Sequence, residues 1–526
     1  MTKLSNIKIS SGLYSIIFML YNLLAFNSVF FAKLHAVNNS LAFSIGSFAV
    51  VWSLGSLACL LLFWRFSTKL LSVLFLLINS SVFYFVKTYN VSVDEEMLIN
   101  VLQTNRAEAA DLLNIEWVIY VFILGVIPSV FITFIHISPI KIWQRFVSVL
   151  AFIGITAALV VPNLGEVAPF LRNNKPLKYQ LIPVNYIGAI ISYVKHHRKK
   201  PDFITIGNDA EFVKYWQNEK YNLIIFIVGE TARAANFGFD GYERDTTEPL
   251  NLYRANIVNY TNAWSCGTST AVSVPCMFSK DSRNNYDNGS LEYTENVLDI
   301  LHKNSYDVLW LDNNSDCKST CDRVEQIIFC EENHDKCNDF VMFPALEERL
   351  QKNRQNTAIF LHQIGSHGPK YYLRYTPEFA RFQPECKTEK LNECDLTEVR
   401  NTYDNTILFT SHIVAQTIET AKKYADKYNT LVFYVSDHGE SLGEHGFYLH
   451  SAPYVIAPDE QKHIPFLIWA SDETYSVLGI DKECLQKTAS AIISHDNIFH
   501  TLLGLSGIKT AEYTPDMDLF STCRKK

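Results

Sequence analysis

The chain has no excess of positive charge. Its 46 lysines and arginines are outnumbered by 54 aspartates and glutamates, leaving a net charge of −8. No dense Lys/Arg stripe occurs, so electrostatics excludes nucleic acid as a partner. Internal repeats and low-complexity tracts are also missing, which excludes solenoids and disordered arrays. Cysteine is nearly absent before residue 260, where Cys59 stands alone among the eleven. Several runs of about 20 residues in the first third contain no Asp, Glu, Lys or Arg, which is the length that crosses a bilayer.

The chain is 526 residues long and 48% hydrophobic, and the apolar residues concentrate before residue 165. Membrane helices are expected near 12–31, 41–64, 70–86, 117–137 and 146–164, the third being the shortest. They define a five-helix transmembrane domain, 1–165, with a polar loop at 88–115. The first run reads as a span rather than a cleaved signal, because no small-residue cleavage site follows it. Lys3, Lys8, Arg65, Lys69, Lys141 and Arg145 fall on one side of the membrane. Lys33, Lys87 and Arg106 fall on the other, offset by Asp94, Glu95, Glu96, Glu108 and Asp111. The first side is therefore expected to be cytoplasmic, and five crossings put everything after residue 165 outside.

Cysteine usage supports an exported second part by a separate argument. Ten cysteines lie beyond residue 260, eight of them in close pairs: Cys266/Cys276, Cys317/Cys321, Cys330/Cys337 and Cys386/Cys394. Such spacing suits small disulfide loops in an oxidising compartment. Cys317, Cys321 and His334 could imitate a zinc finger, but an exported location disfavours it. Residues 166–221 read as a linker, with either a membrane-surface helix or a plain connecting helix.

From residue 222 onward, short apolar runs (222–228, 307–312, 358–364, 431–437 and 464–470) alternate with amphipathic stretches. That pattern predicts an α/β domain, 222–526, with a mainly parallel central sheet. Ligands of such sheets collect beyond the carboxyl ends of the strands. Those ends carry Glu230, then Asn313, Asn314 and Lys318, then His367, then Asp437 and His438, with His450 in the same stretch. Carboxylates and imidazoles gathered with a hydroxyl suit zinc better than magnesium. The hydroxyl donor stays open, because "SCGTSTAVSVPC" offers Thr268, Ser269, Thr270 and Ser273 equally.

The segments "GETARAANFGFDGY", "SCGTSTAVSVPCMFS", "DNNSDCKSTCDR", "IGSHGPKYYLRY" and "SDHGESLGEHGFYLH" occur in that order. Together they resemble the lipid A phosphoethanolamine transferases, a family that includes the mobile colistin-resistance enzymes and whose catalytic domain is of the alkaline phosphatase/sulfatase type. The resemblance implies a zinc ion held by Glu230, Thr270, Asp437 and His438, with Thr270 as nucleophile. It implies that His367 and His450 contact the phosphoethanolamine group or a second zinc, and that either could act as general acid or base. Lys318, Asn100, Thr104 and Glu108 match substrate-contacting positions. The last three are expected on one helical face from their spacing of four.

The implied reaction moves phosphoethanolamine from phosphatidylethanolamine to a phosphate of lipid A through a phosphoethanolamine–threonine intermediate. The implied setting is a monomer in a Gram-negative inner membrane with its catalytic domain in the periplasm. Resistance to polymyxin and other cationic peptides is the expected consequence. A hydrolase using water as acceptor, or a transferase acting on another envelope glycan, shares the same site logic. The resemblance leaves Cys484 and Cys523 without an established pairing.

Overall fold

The computed structural model describes residues 8–104, 109, 112–161, 174–196, 202–314, 316–330, 337–444 and 447–525. Two compact units divide the chain. One comprises Met1–Leu98 with Leu113–Lys195, the other Ile99–Leu112 with His196–Lys526.

The first unit is helical: α1 (Ser11–Phe26), α2 (Ser28–Val37), α3 (Leu41–Leu62), α4 (Ser67–Tyr89), the start of α5 (Glu95–Gln103), α6 (Ile115–Phe134), α7 (Ile142–Val160) and α8 (Val184–His196). Helices α3, α4, α6 and α7 are each long and apolar enough to span a membrane. Each carries exposed leucines, isoleucines or phenylalanines, as on helices solvated by lipid, Leu70 and Phe146 among them, while Leu60, Leu76 and Phe83 are buried. The stretch expected as one straight first span is instead α1 and α2, bent by 71°. The break falls at Asn27, whose side chain pairs with both backbone groups of Ile182: Nδ2 donates to the carbonyl at 3.0 Å and Oδ1 accepts the amide at 2.9 Å. The count is therefore four spans, or five if the bent pair is one.

Helix α8 lies in the stretch expected as a linker, yet it belongs to this unit. Asn79 Nδ2 donates to Asn22 Oδ1 at 2.6 Å, and Tyr186 of α8 donates its hydroxyl to Asn79 Oδ1 at 2.8 Å. Buried amides in apolar surroundings must find partners, and these ones tie α8 to α1 and α4.

The second unit is built on seven strands: β1 (Tyr221–Gly229), β2 (Ile257–Asn259), β3 (Tyr306–Asp312), β4 (Glu325–Ile328), β5 (Asn356–His362), β6 (Tyr428–Ser436) and β7 (Phe466–Ala470). Their order across the sheet is β2-β7-β6-β1-β5-β3-β4. The ladders β6–β1, β1–β5, β5–β3 and β3–β4 are parallel, whereas β6–β7 and β7–β2 are antiparallel. The sheet is thus mixed, and the run at 464–470 departs from the parallel expectation. The described residues between β6 and β7 contain no α-helix to carry the chain back across the sheet. The strand therefore re-enters at the carboxyl edge and must run the other way.

Each face of the sheet buries a core. Val228, Phe226, Phe360 and Trp310 pack on one side against Val274, Met277 and Phe278 of α9 (Thr270–Phe278). Ile227, Leu361 and Leu311 pack on the other against α10 (Leu396–Lys422). Residue alternation along the strands sets this division. It leaves Glu230 and Asp437, one step past β1 and β6, pointing to the side where α9 begins.

Candidate active site

Four hydroxyls in "CGTSTAVS" were equal in the sequence and differ in the fold. Thr268 Oγ1 donates to the Ala452 carbonyl at 2.6 Å, and Ser273 Oγ accepts the Gly267 amide at 2.9 Å. Ser269 precedes α9 at its N-cap position without a side-chain capping bond. Thr270, the first residue of α9, donates Oγ1–H to Glu230 Oε2 at 3.1 Å and lies 3.4 Å from His438 Nε2. The Cys266–Cys276 disulfide brackets this segment.

Ligand atoms of Glu230, Asp437 and His438 all lie within 4.8 Å of one another, and the three residues are fully buried. His438 Nε2 is 3.6 Å from Glu230 Oε1 and 3.3 Å from Asp437 Oδ2. Both of those carboxylate oxygens are buried without a hydrogen-bond partner. His438 Nδ1 sits 2.9 Å from the Gly439 carbonyl, which can only accept. Nδ1 therefore carries the proton, and the Nε2 lone pair faces the two carboxylates.

Burial pushes the Glu230 carboxyl up to about 8, with Asp437 adding to the effect. Burial likewise raises Asp437 to about 7, against the pull of the Thr231 and His438 amides. The same desolvation drives His438 well below the ordinary histidine range. Two orphaned carboxylate oxygens and an imidazole lone pair, crowded in a dry site, form a donor set that fits zinc.

The backbone keeps Glu230 in place. Gly365 adopts φ +46, and a Cβ there would lie 2.8 Å from the Glu230 carbonyl oxygen. That same carbonyl accepts the Ser366 amide at 3.0 Å.

The remaining expected residues surround this centre. The His450 ring centroid lies 4.6 Å from that of His438 and 5.7 Å from that of His367. His450 Nδ1 is 3.1 Å from Glu440 Oε1. Burial opposes a charge on His450, but the Glu440 carboxylate prevails and lifts it to about 9.

Lys318, at φ +50 in the loop closed by Cys317–Cys321, donates Nζ–H to the Gln103 carbonyl at 3.2 Å. Asn100 donates to Ser451 Oγ at 3.3 Å, next to His450. Thr104 lies just past the end of α5 and donates its hydroxyl to the Asn100 carbonyl at 2.8 Å. Glu108 lies outside the described residues.

The structure also pairs Cys330–Cys337, Cys386–Cys394 and Cys484–Cys523. Sequence reasoning passed over Glu440, although it stands in the "SDHGES" segment. It also passed over His495, which is fully buried and accepts the Cys266 amide on Nδ1 at 3.1 Å. Its Nε2–H donates to the Ser436 carbonyl at 3.0 Å. His495 thereby links the start of the threonine loop to the strand end carrying Asp437. No local pattern marks it.

Known proteins share this sequence pattern and fold. The family model described as "Sulfatase" matches residues 222–508, and the one described as "Phosphoethanolamine transferase EptA/EptB" matches 51–198. Phosphoethanolamine transferase EptA of Escherichia coli K12 is 40% identical over 471 residues, covering 86% of this chain and 85% of its own. The structure of the integral membrane lipooligosaccharide phosphoethanolamine transferase A of Neisseria meningitidis superposes with a TM-score of 0.94 at 34% identity. That match covers 99% of this chain and all of that one. The C-terminal periplasmic domain of EptC from Campylobacter jejuni matches at 41% identity and a TM-score of 0.55, covering 62% of this chain and 99% of that domain. Matches at this identity and coverage leave one assignment: the chain belongs to the EptA family of phosphoethanolamine transferases, a helical membrane unit joined to a sulfatase-type α/β unit.

Proposed function

We propose that the protein transfers phosphoethanolamine from phosphatidylethanolamine to a phosphate of lipid A, with Thr270 as the covalent carrier. The observation that carries this reading is the Thr270 hydroxyl, aimed at Glu230 Oε2 and His438 beside two orphaned carboxylate oxygens. The EptA relationship and the lipooligosaccharide acceptor named for the Neisseria protein support lipid A as the acceptor class. The periplasmic domain of the Campylobacter relative supports an inner-membrane protein with its catalytic unit in the periplasm.

Zinc held by Glu230, Thr270, Asp437 and His438 would supply positive charge that favours loss of the Thr270 hydroxyl proton and offsets charge on the phosphoryl oxygens. Thr270 Oγ1, oriented by its hydrogen bond to Glu230, attacks phosphorus. The Oγ1–P bond forms, and its proton passes to Glu230 Oε2. The P–O bond to diacylglycerol breaks, and the leaving oxygen takes a proton from His450 Nε2, whose Nδ1–H is held by Glu440. A lipid A phosphate oxygen then attacks the same phosphorus, its proton passing to His450 Nε2, and Thr270 regains its proton from Glu230 Oε2 as the Oγ1–P bond breaks. His367, Lys318 and Asn100 contribute contacts to the donor headgroup. Splitting the transfer lets two bulky lipids use one site in turn. The added ammonium offsets negative charge on lipid A and weakens binding of polymyxin-type cations.

Mass spectrometry of lipid A from Gram-negative cells expressing the protein tests this reading. A phosphoethanolamine adduct that disappears with Thr270→Ala is expected. Persistence of the adduct in that variant would overturn it, and release of free phosphoethanolamine without an adduct would identify a hydrolase.

A further inference from the structure

The segment Asp312-Asn313-Asn314 ends β3 beside the site, yet the proposed reaction assigns it no task. Asp312 is fully buried. Its Oδ2 accepts Trp310 Nε1–H at 2.8 Å and faces His362 Nδ1 at 2.9 Å, while Oδ1 accepts the Asn314 amide at 2.8 Å. A carboxylate so placed is costly unless its oxygens are bonded, so these contacts define one geometry for the turn.

That turn aims the Asn314 side chain. Its Nδ2 donates to Glu230 Oε2 and to the Gln363 carbonyl, each at 2.8 Å. Both partners are acceptors, so a flipped amide would set oxygen against oxygen, and the orientation is fixed by chemistry. Glu230 Oε2 thus receives hydrogen bonds from Asn314 and Thr270, while Oε1 of the same carboxylate stays buried without one, near His438. The Glu230 main chain is held separately: Asn313 Nδ2 donates to Asp339, and Asp339 accepts the Ile364 and Gly365 amides behind Glu230. Once the main chain is fixed, the remaining freedom of Glu230 is rotation of its carboxylate. Asn314 opposes that rotation.

We propose that Asn314, held by Asp312, is a positioning residue that dedicates one Glu230 oxygen to the Thr270 hydroxyl and leaves the other for the cation. The inference rests on the reading of the site given above. In its absence the Glu230 carboxylate rotates, and the oxygen meant for the metal is shared with the nucleophile.

The test uses the full-length protein in detergent and compares wild type, Asn314→Ala, Asp312→Asn and Thr270→Ala. Zinc affinity is read by competition with a chromophoric chelator, and transfer kinetics are read with phosphatidylethanolamine as donor. Asn314→Ala is expected to weaken zinc binding by about 10–100-fold, in the range for residues that orient a metal ligand. It is also expected to lower kcat with KM for the donor unchanged. Asp312→Asn should repeat that pattern, and a melting curve separates it from misfolding. Zinc affinity and kcat at wild-type levels in Asn314→Ala would overturn the proposal whatever Asp312→Asn does. If Thr270→Ala still transfers phosphoethanolamine, the nucleophile assignment fails, while the zinc titration of Asn314→Ala still judges the positioning role by itself.

Discussion

Replacing His495 by glutamine tests how the loop leading to Thr270 is joined to the sheet. His495 bridges the Cys266 amide and the Ser436 carbonyl, roles that require a neutral ring with an acceptor at Nδ1 and a donor at Nε2. Burial lowers its pKa from 6.5 to about 4. The folded protein therefore refuses a proton that the unfolded chain accepts. This contribution to stability is complete above the unfolded pKa and is lost as pH falls through the folded value. The full loss is about 3 kcal/mol, of which about 2 kcal/mol falls between about pH 7.5 and pH 5. Glutamine can accept and donate across the same gap but does not titrate. Urea unfolding of the full-length protein in detergent at those two pH values should show the His495→Gln variant losing about 2 kcal/mol less than wild type on acidification. His495→Leu, which orphans both partners, should cost about 2–4 kcal/mol at either pH. An acid-dependent loss identical in wild type and His495→Gln would refute the assignment.

Other perturbations follow from the same geometry. Gly365→Ala places a Cβ against the Glu230 carbonyl at a positive φ, so a stability loss of about 1–3 kcal/mol is expected in thermal melts, together with reduced transfer. Removing Cys484–Cys523 by paired serines opens a loop of sequence separation 39 and should cost about 4 kcal/mol, against about 2 kcal/mol for Cys317–Cys321 with separation 4. The second pair should instead raise KM for the donor, because it pins the loop of Lys318; an unchanged KM would detach that loop from donor binding.

The parts legible in the sequence were those with a local signature. Long uncharged runs marked α3, α4, α6 and α7, and continuous apolar runs marked the central strands. Closely spaced cysteines were readable as pairs, whereas Cys484 and Cys523 were not, being 39 residues apart in sequence. The break at Asn27 depends on Ile182, far along the chain, so nothing near residue 27 announces it. The reversal of β7 depends on a missing crossover, which an apolar run cannot reveal. Among the four hydroxyls, composition gave no preference. The fold distinguishes them by what each side chain bonds, with Thr268 and Ser273 engaged by backbone groups and Thr270 by Glu230. His495 and Asn314 act through partners distant in sequence, Cys266 and Glu230, so their roles show only in the fold.

The central claim is that Thr270 carries phosphoethanolamine between two lipids. The most direct measurement is peptide mapping of the purified, zinc-loaded protein after exposure to phosphatidylethanolamine without acceptor. The account predicts a phosphoethanolamine adduct on Thr270 that disappears when lipid A is added. An adduct on another residue, or donor turnover with Thr270 unmodified throughout, would contradict it.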